Sequence, residues 1–179
     1  MKRLMIIQLM LAALFFTAHA GTGDTKNISS AFRKGLTDAV NAYYEIGQAL
    51  AADDSKTASE KAASFKERLD AINSASLAGE TQTGWKKQSE ILQEAADNLI
   101  AAQELAGQRP AFLKISETLI EAVKQYGPLD ATAYRYHCPM ALSSGGDWLS
   151  PVEKVANPYF GRQMPTCGTL VESFEVKSK

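Results

Sequence analysis

A mainly α fold follows from three observations: a four-helix up-and-down bundle, then a C-terminal loop-rich segment with a short antiparallel β-hairpin-like pair. Apolar residues recur at three- and four-residue spacing through residues 28–127, the period of one helical face. That block is rich in Ala, Glu, Lys, Gln and Leu and almost free of proline, whereas residues 128–179 are dense in Gly, Pro, Tyr and Ser. The change falls once, at Gly127-Pro128, so residues 21–179 read as a single domain with two parts.

Residues 1–20 stand apart. Lys2 and Arg3 precede an apolar run from Met5 to Phe16, and Ala18-His19-Ala20 supplies a small-x-small cleavage pattern. This predicts a secretory signal peptide cut after Ala20 and a periplasmic product in a Gram-negative host. The run is short of the roughly 20 apolar residues that a membrane span needs, so no span is expected after cleavage. Removing residues 1–20 takes two cations and no acid, so the formal net charge falls from -1 to -3. A mildly acidic chain with interspersed signs lacks the concentrated basic face that nucleic acid requires.

The first helix is predicted over about Ile28–Ala52, capped by Asn27 or Ser29, with Phe32, Leu36, Ala39, Val40, Tyr43, Ile46 and Leu50 on its buried stripe. Asp53-Asp54-Ser55 ends it and offers caps to a second helix over Thr57–Ser74, striped by Ala58, Ala62, Phe65, Leu69 and Ile72. Lys61, Lys66, Glu67 and Arg68 form its solvated face. Ser76–Gly84 reads as a loop. A third helix is expected over Trp85–Leu105, with Ile91, Leu92, Ala95, Leu99 and Ala102 inward and Gly107 as its stop. The fourth begins near Pro110, continues through Phe112, Ile115, Leu119, Ala122 and Val123, and ends at Gly127-Pro128. Short connections between helices of similar length favour antiparallel neighbours.

In the tail, Thr132–Cys138 and Thr169–Val176 have strand composition. Pairing them antiparallel sets Cys138, at the end of one, beside Cys167, at the start of the other. The long stretch between reads as a loop, with Gly145-Gly146, Pro151, Asn157-Pro158 and Gly161. Loops of this length in a compact domain are usually functional.

The chemistry concentrates in two short sulfur clusters, His137-Cys138-Pro139-Met140 and Met164-Pro165-Thr166-Cys167-Gly168, which hold both cysteines of the chain. Thiolate with thioether is the donor set that selects Cu(I) and other soft ions. Cys138 and Met140, two apart, leave an extended strand on one face. Met164 and Cys167, three apart, suit a tight turn started by Pro165, with Gly168 free to take an unusual φ after it. Two such pairs converging make a four-sulfur site. A Cys138–Cys167 disulfide is the competing reading for an exported chain with an even cysteine count, the methionines then being core filler and no cofactor being needed. Zinc is disfavoured because only His137 joins the two cysteines as a donor, and covalent haem because no C-x-x-C-H run is present. His137, next to Cys138 on a strand, should face the other way and joins the site only if the strand breaks. Trp148 is a candidate cation cap or a buried anchor. Tyr134, Tyr136, Tyr159 and Phe160 read as the aromatic packing of the tail. No G-x-S-x-G or H-E-x-x-H pattern points to an enzyme.

Tyr136-His137-Cys138-Pro139-Met140-Ala141, Gly146-Asp147-Trp148-Leu149-Ser150, Asn157-Pro158-Tyr159-Phe160-Gly161 and Met164-Pro165-Thr166-Cys167-Gly168 resemble the tail of domain-of-unknown-function family 3347. Asp38-Ala39-Val40-Asn41-Ala42-Tyr43-Tyr44 and Ala49-Leu50-Ala51-Ala52-Asp53-Asp54 resemble its opening helix. Members occur alone as exported proteins or fused to periplasmic adaptor subunits of heavy-metal efflux pumps. The resemblance implies a part in copper or silver homeostasis, with Cu(I) or Ag(I) as the metal, an efflux adaptor as the protein partner, and Cys138, Met140, Met164 and Cys167 as the matching sulfur positions. A non-metal envelope interaction module pinned by the disulfide remains the alternative.

Overall fold

Four helices and a small sheet make up the computed structural model, which describes residues 28–176. The signal peptide read over residues 1–20, and Asn27, lie outside the described residues. Helix α1 spans Ser30–Ala51, α2 Ser55–Asp70, α3 Gly79–Ala101 and α4 Leu105–Tyr126. Each packs on its neighbour in sequence, and α1 also meets α4, which closes the bundle.

Caps set the first two helices. The Ser29 hydroxyl accepts from the Phe32 N–H at 3.1 Å, and the Asp54 carboxylate accepts from the Thr57 N–H at 2.9 Å. These hydrogen bonds, backbone and side chain, hold the Asp54 carboxyl below its ordinary pKa. The apolar stripes read from the sequence in α1, α2 and α4 are buried. At their centre Tyr43 and Phe112 stack at 5.0 Å, and at one end Trp85 meets Phe32 and Tyr126 edge-on while those two rings are tilted on each other.

The third and fourth helices both start earlier than expected. α3 begins at Gly79, so part of the expected loop is helical, and it ends at Ala101. Tertiary contacts hold that extra turn: Leu77 is buried before it, and the Tyr126 hydroxyl donates to Thr81 C=O. α4 begins at Leu105, so Gly107 lies in its first turn instead of stopping α3, and Pro110 lies inside it. Gln108 accounts for the shift. Fully buried, its side-chain amide reaches Ser55 C=O, the Ser59 hydroxyl and Ala102 C=O. The first turn of α4 is thereby tied to the start of α2 and the end of α3, an interaction that outweighs local punctuation.

The tail forms a three-stranded antiparallel sheet, with strands β1 (Ala133–Cys138), β2 (Gly146–Ser150) and β3 (Thr169–Phe174) in the order β2-β1-β3. The expected β1–β3 pair is present, from Ala133↔Phe174 to His137↔Thr169, with a bulge between Arg135 and Tyr136. Strand β2, inside the stretch read as loop, pairs on the other side from Tyr134↔Ser150 to Cys138↔Gly146. It packs against α4 and α1. The Leu149 N–H donates to the buried Tyr43 hydroxyl at 3.1 Å, and that hydroxyl also pairs with Ser116 at 2.7 Å. Bundle and sheet thus share one hydrogen-bond chain.

Candidate metal centre

The two sulfur clusters are two proline turns facing each other. Strand β1 ends at Cys138, and the Ala141 N–H donates to Cys138 C=O at 3.2 Å, with Pro139 second in the turn. Across from it the Cys167 N–H donates to Met164 C=O at 3.2 Å, with Pro165 second in that turn. The second turn is as the sequence predicts. The first is a correction: the strand stops before Met140, so Met140 does not share an extended face with Cys138.

Gly168 leaves the second turn at φ +153°, and a Cβ there would stand 2.5 Å from the Trp148 ring. Only glycine lets the chain pass this close to the indole. Asn157, fully buried, locks the same turn from behind. Its side-chain amide donates to Cys167 C=O at 2.6 Å, its backbone N–H donates to Pro165 C=O at 3.1 Å, and its side-chain oxygen accepts from the N–H groups of Tyr159 and Phe160.

The segment after Asn157 is latched to the bundle. Asp53, at φ +59° just past α1, accepts from the Arg109 guanidinium at 2.7 Å and from the Arg162 N–H at 3.1 Å. Arg109 also donates to Pro158 C=O at 3.1 Å. Both partners of the Asp53–Arg109 ion pair are partly buried, and the charge-assisted hydrogen bond helps to fix the geometry of this latch.

These supports bring Cys138 and Cys167 together with their sulfurs 2.6 Å apart. That is about 1 Å closer than the roughly 3.5–4 Å kept by two sulfurs on one tetrahedral ion with bonds of about 2.3 Å. It is longer than the roughly 2.05 Å of a disulfide. Cys138 is fully buried and Cys167 half-buried. The Cys167 thiol is pushed above its ordinary pKa, first by its hydrogen bond with Cys138 and then by desolvation.

The methionines stand differently from one another. Met164 is half-buried, whereas Met140 is 57% exposed at its turn. The two cysteines thus stand side by side with one methionine in each flanking turn, Met140 the more exposed of the two. Trp148 lies in β2 and not in a loop, 3% exposed. It stacks on Tyr136 at 5.5 Å and meets Tyr159 edge-on at 5.9 Å, as a buried anchor would. Tyr159 reaches on to Phe112 of α4, and its hydroxyl donates to Asp147 C=O.

His137 faces away from the cysteines, as alternation requires. Its Nδ1 meets Asp147 Oδ1 at 2.5 Å, and the other Asp147 oxygen pairs with Arg135, which also reaches Glu172. Asp147 and Asn157 are the site residues that sequence reasoning missed. Both lie within the motifs already quoted, but nothing in their spacing says what they bond. Among the described residues, no group of three or more His, Cys, Asp or Glu side chains is placed to hold a metal ion.

The family model described as "Protein of unknown function (DUF3347)" matches residues 39–131. The chain belongs to this family. The matched region runs from within α1 to just before β1, so it covers most of the bundle and stops short of both cysteines. No curated protein and no solved structure matches the chain. No described helix is long and apolar enough to cross a membrane.

Proposed function

We propose that this protein is a periplasmic soft-metal carrier that takes Cu(I), or Ag(I), at the Cys138–Cys167 dithiol and serves copper homeostasis or delivery to an efflux system. The observation that carries this reading is the convergence of the chain's two cysteines from two proline turns, each turn also bearing a methionine. Thiolate is the strong anchor for a d10 cation, and thioether is a neutral donor that needs no deprotonation. Met140, exposed beside the buried Cys138, is the donor best placed to meet an arriving ion. Met164, half-buried, is the second thioether within the same pair of turns. The metal is cargo, so an accessible donor on one side suits pick-up and hand-off.

An ion bound by both thiolates holds their sulfurs roughly 3.5–4 Å apart. Copper X-ray absorption of the reduced, loaded protein tests this reading. It should record short copper–sulfur bonds near 2.3 Å, with fewer sulfur neighbours in a Met140→Leu/Met164→Leu variant. A shell of nitrogen and oxygen alone would overturn it. A second reading, a Cys138–Cys167 disulfide pinning the tail of an envelope interaction module, is favoured by the closeness of the two sulfurs.

A further inference from the structure

The two cysteines are chemically unequal. Cys138 ends a central strand, is fully buried, and lies behind the turn it begins. Cys167 is half-buried and precedes a glycine whose extended, positive-φ backbone leaves it at the edge of the sheet. Their sulfurs stand side by side, within reach of an internal disulfide. An adjacent pair with one sulfur within reach of solvent and one shielded is the arrangement used for thiol–disulfide exchange. The accessible sulfur meets the partner, and the shielded one resolves.

We propose that the pair is an exchange site for a disulfide-bearing oxidant, with Cys167 as the attacking sulfur and Cys138 as the resolving sulfur. In the first step the Cys167 thiolate attacks one sulfur of the oxidant, forming a mixed disulfide and expelling one thiolate. The Cys138 thiolate then attacks the Cys167 sulfur, forming the internal disulfide and expelling the second thiolate. The two protein thiols give up two protons, and the two departing thiolates take them up. Two electrons pass from the protein to the oxidant, which leaves as two thiols. The activity stands apart from metal binding, because it needs only the reduced, metal-free chain.

The test exposes reduced, metal-free mature protein to oxidised glutathione, quenches with acid and maps the products by mass spectrometry. Wild type should go to the internal disulfide. Cys138→Ser should stop at a glutathione adduct on Cys167, and Cys167→Ser should stay largely unmodified. Equal adducts in the two single variants, or no internal disulfide in wild type, would overturn the assignment. Brief labelling of folded wild type with limiting iodoacetamide gives a check free of any folding defect in the variants. Cys167 should label faster than Cys138 by about tenfold or more, as full burial against partial exposure implies. Faster labelling of Cys138 would overturn the proposal. A chain that exchanges but takes no Cu(I) would leave this inference standing and remove the metal reading.

Discussion

Asn157 makes more contacts for the tail than any motif in its sequence announces. One buried amide side chain satisfies Cys167 C=O, Tyr159 N–H and Phe160 N–H. Truncating it to alanine leaves those groups in a buried site without their partner, at about 1–3 kcal/mol each before water re-enters. Asn157→Ala should therefore destabilise the protein by about 2–4 kcal/mol in urea denaturation, with the folded core of the bundle retained. A change under about 0.5 kcal/mol, the size of an ordinary surface effect, would contradict this role. At this scale the sequence was partly legible. Pro165 and Gly168 announced the turn that holds Cys167, because their backbone preferences are intrinsic. Met140 was misplaced, because where strand β1 stops depends on the Cys138–Ala141 turn, and Pro139 is compatible with either outcome.

Among the strands, β2 packs most closely on the bundle, against α4 and α1. Gly146–Ser150 carries little β signal of its own, and it is held as a strand by pairing with β1 and by the Tyr43 hydroxyl. Tyr43→Phe removes a group that serves Ser116 and Leu149 together. It should cost about 1–3 kcal/mol, and hydrogen exchange at the Leu149 amide should accelerate beyond the change in global stability. Unchanged protection at Leu149 would show that the strand is docked by other contacts. The helices illustrate the same division. The stripes of α1, α2 and α4 could be read directly because 3.6-residue periodicity is a local pattern. The starts of α3 and α4 could not, because Tyr126 and Gln108 set them across the bundle.

Taken whole, the molecule buries tyrosines both inside the bundle and where the bundle meets the sheet. Tyr43, Tyr44 and Tyr159 are held well above the usual tyrosine pKa by burial, and Tyr126 is pushed up to about 12 by the same cause. Each is an acid whose folded pKa exceeds its unfolded value. Its contribution is complete below about pH 10, where both states are neutral, and is lost as pH rises through the folded pKa. Stability should hold steady up to about pH 10 and then fall, with phenolate absorbance appearing together with the loss of helical circular dichroism. Phenolate formation well before unfolding would mean that these rings are open to solvent. Charge and composition support only the expectation of a mildly acidic exported chain. The meeting of Cys138 and Cys167 was legible from strand composition, since antiparallel pairing of β1 with β3 sets the two side by side, whereas the contacts of Asn157 and Asp147 behind them were not.

The measurement closest to the central claim is an anaerobic titration of the reduced mature protein with Cu(I) against a competing chromophoric chelator. Wild type should withdraw one Cu(I) per chain from the chelator, and the Cys138→Ser/Cys167→Ser variant should lose that capacity while keeping its helical content. Failure of folded, reduced wild type to compete with the chelator would contradict the account.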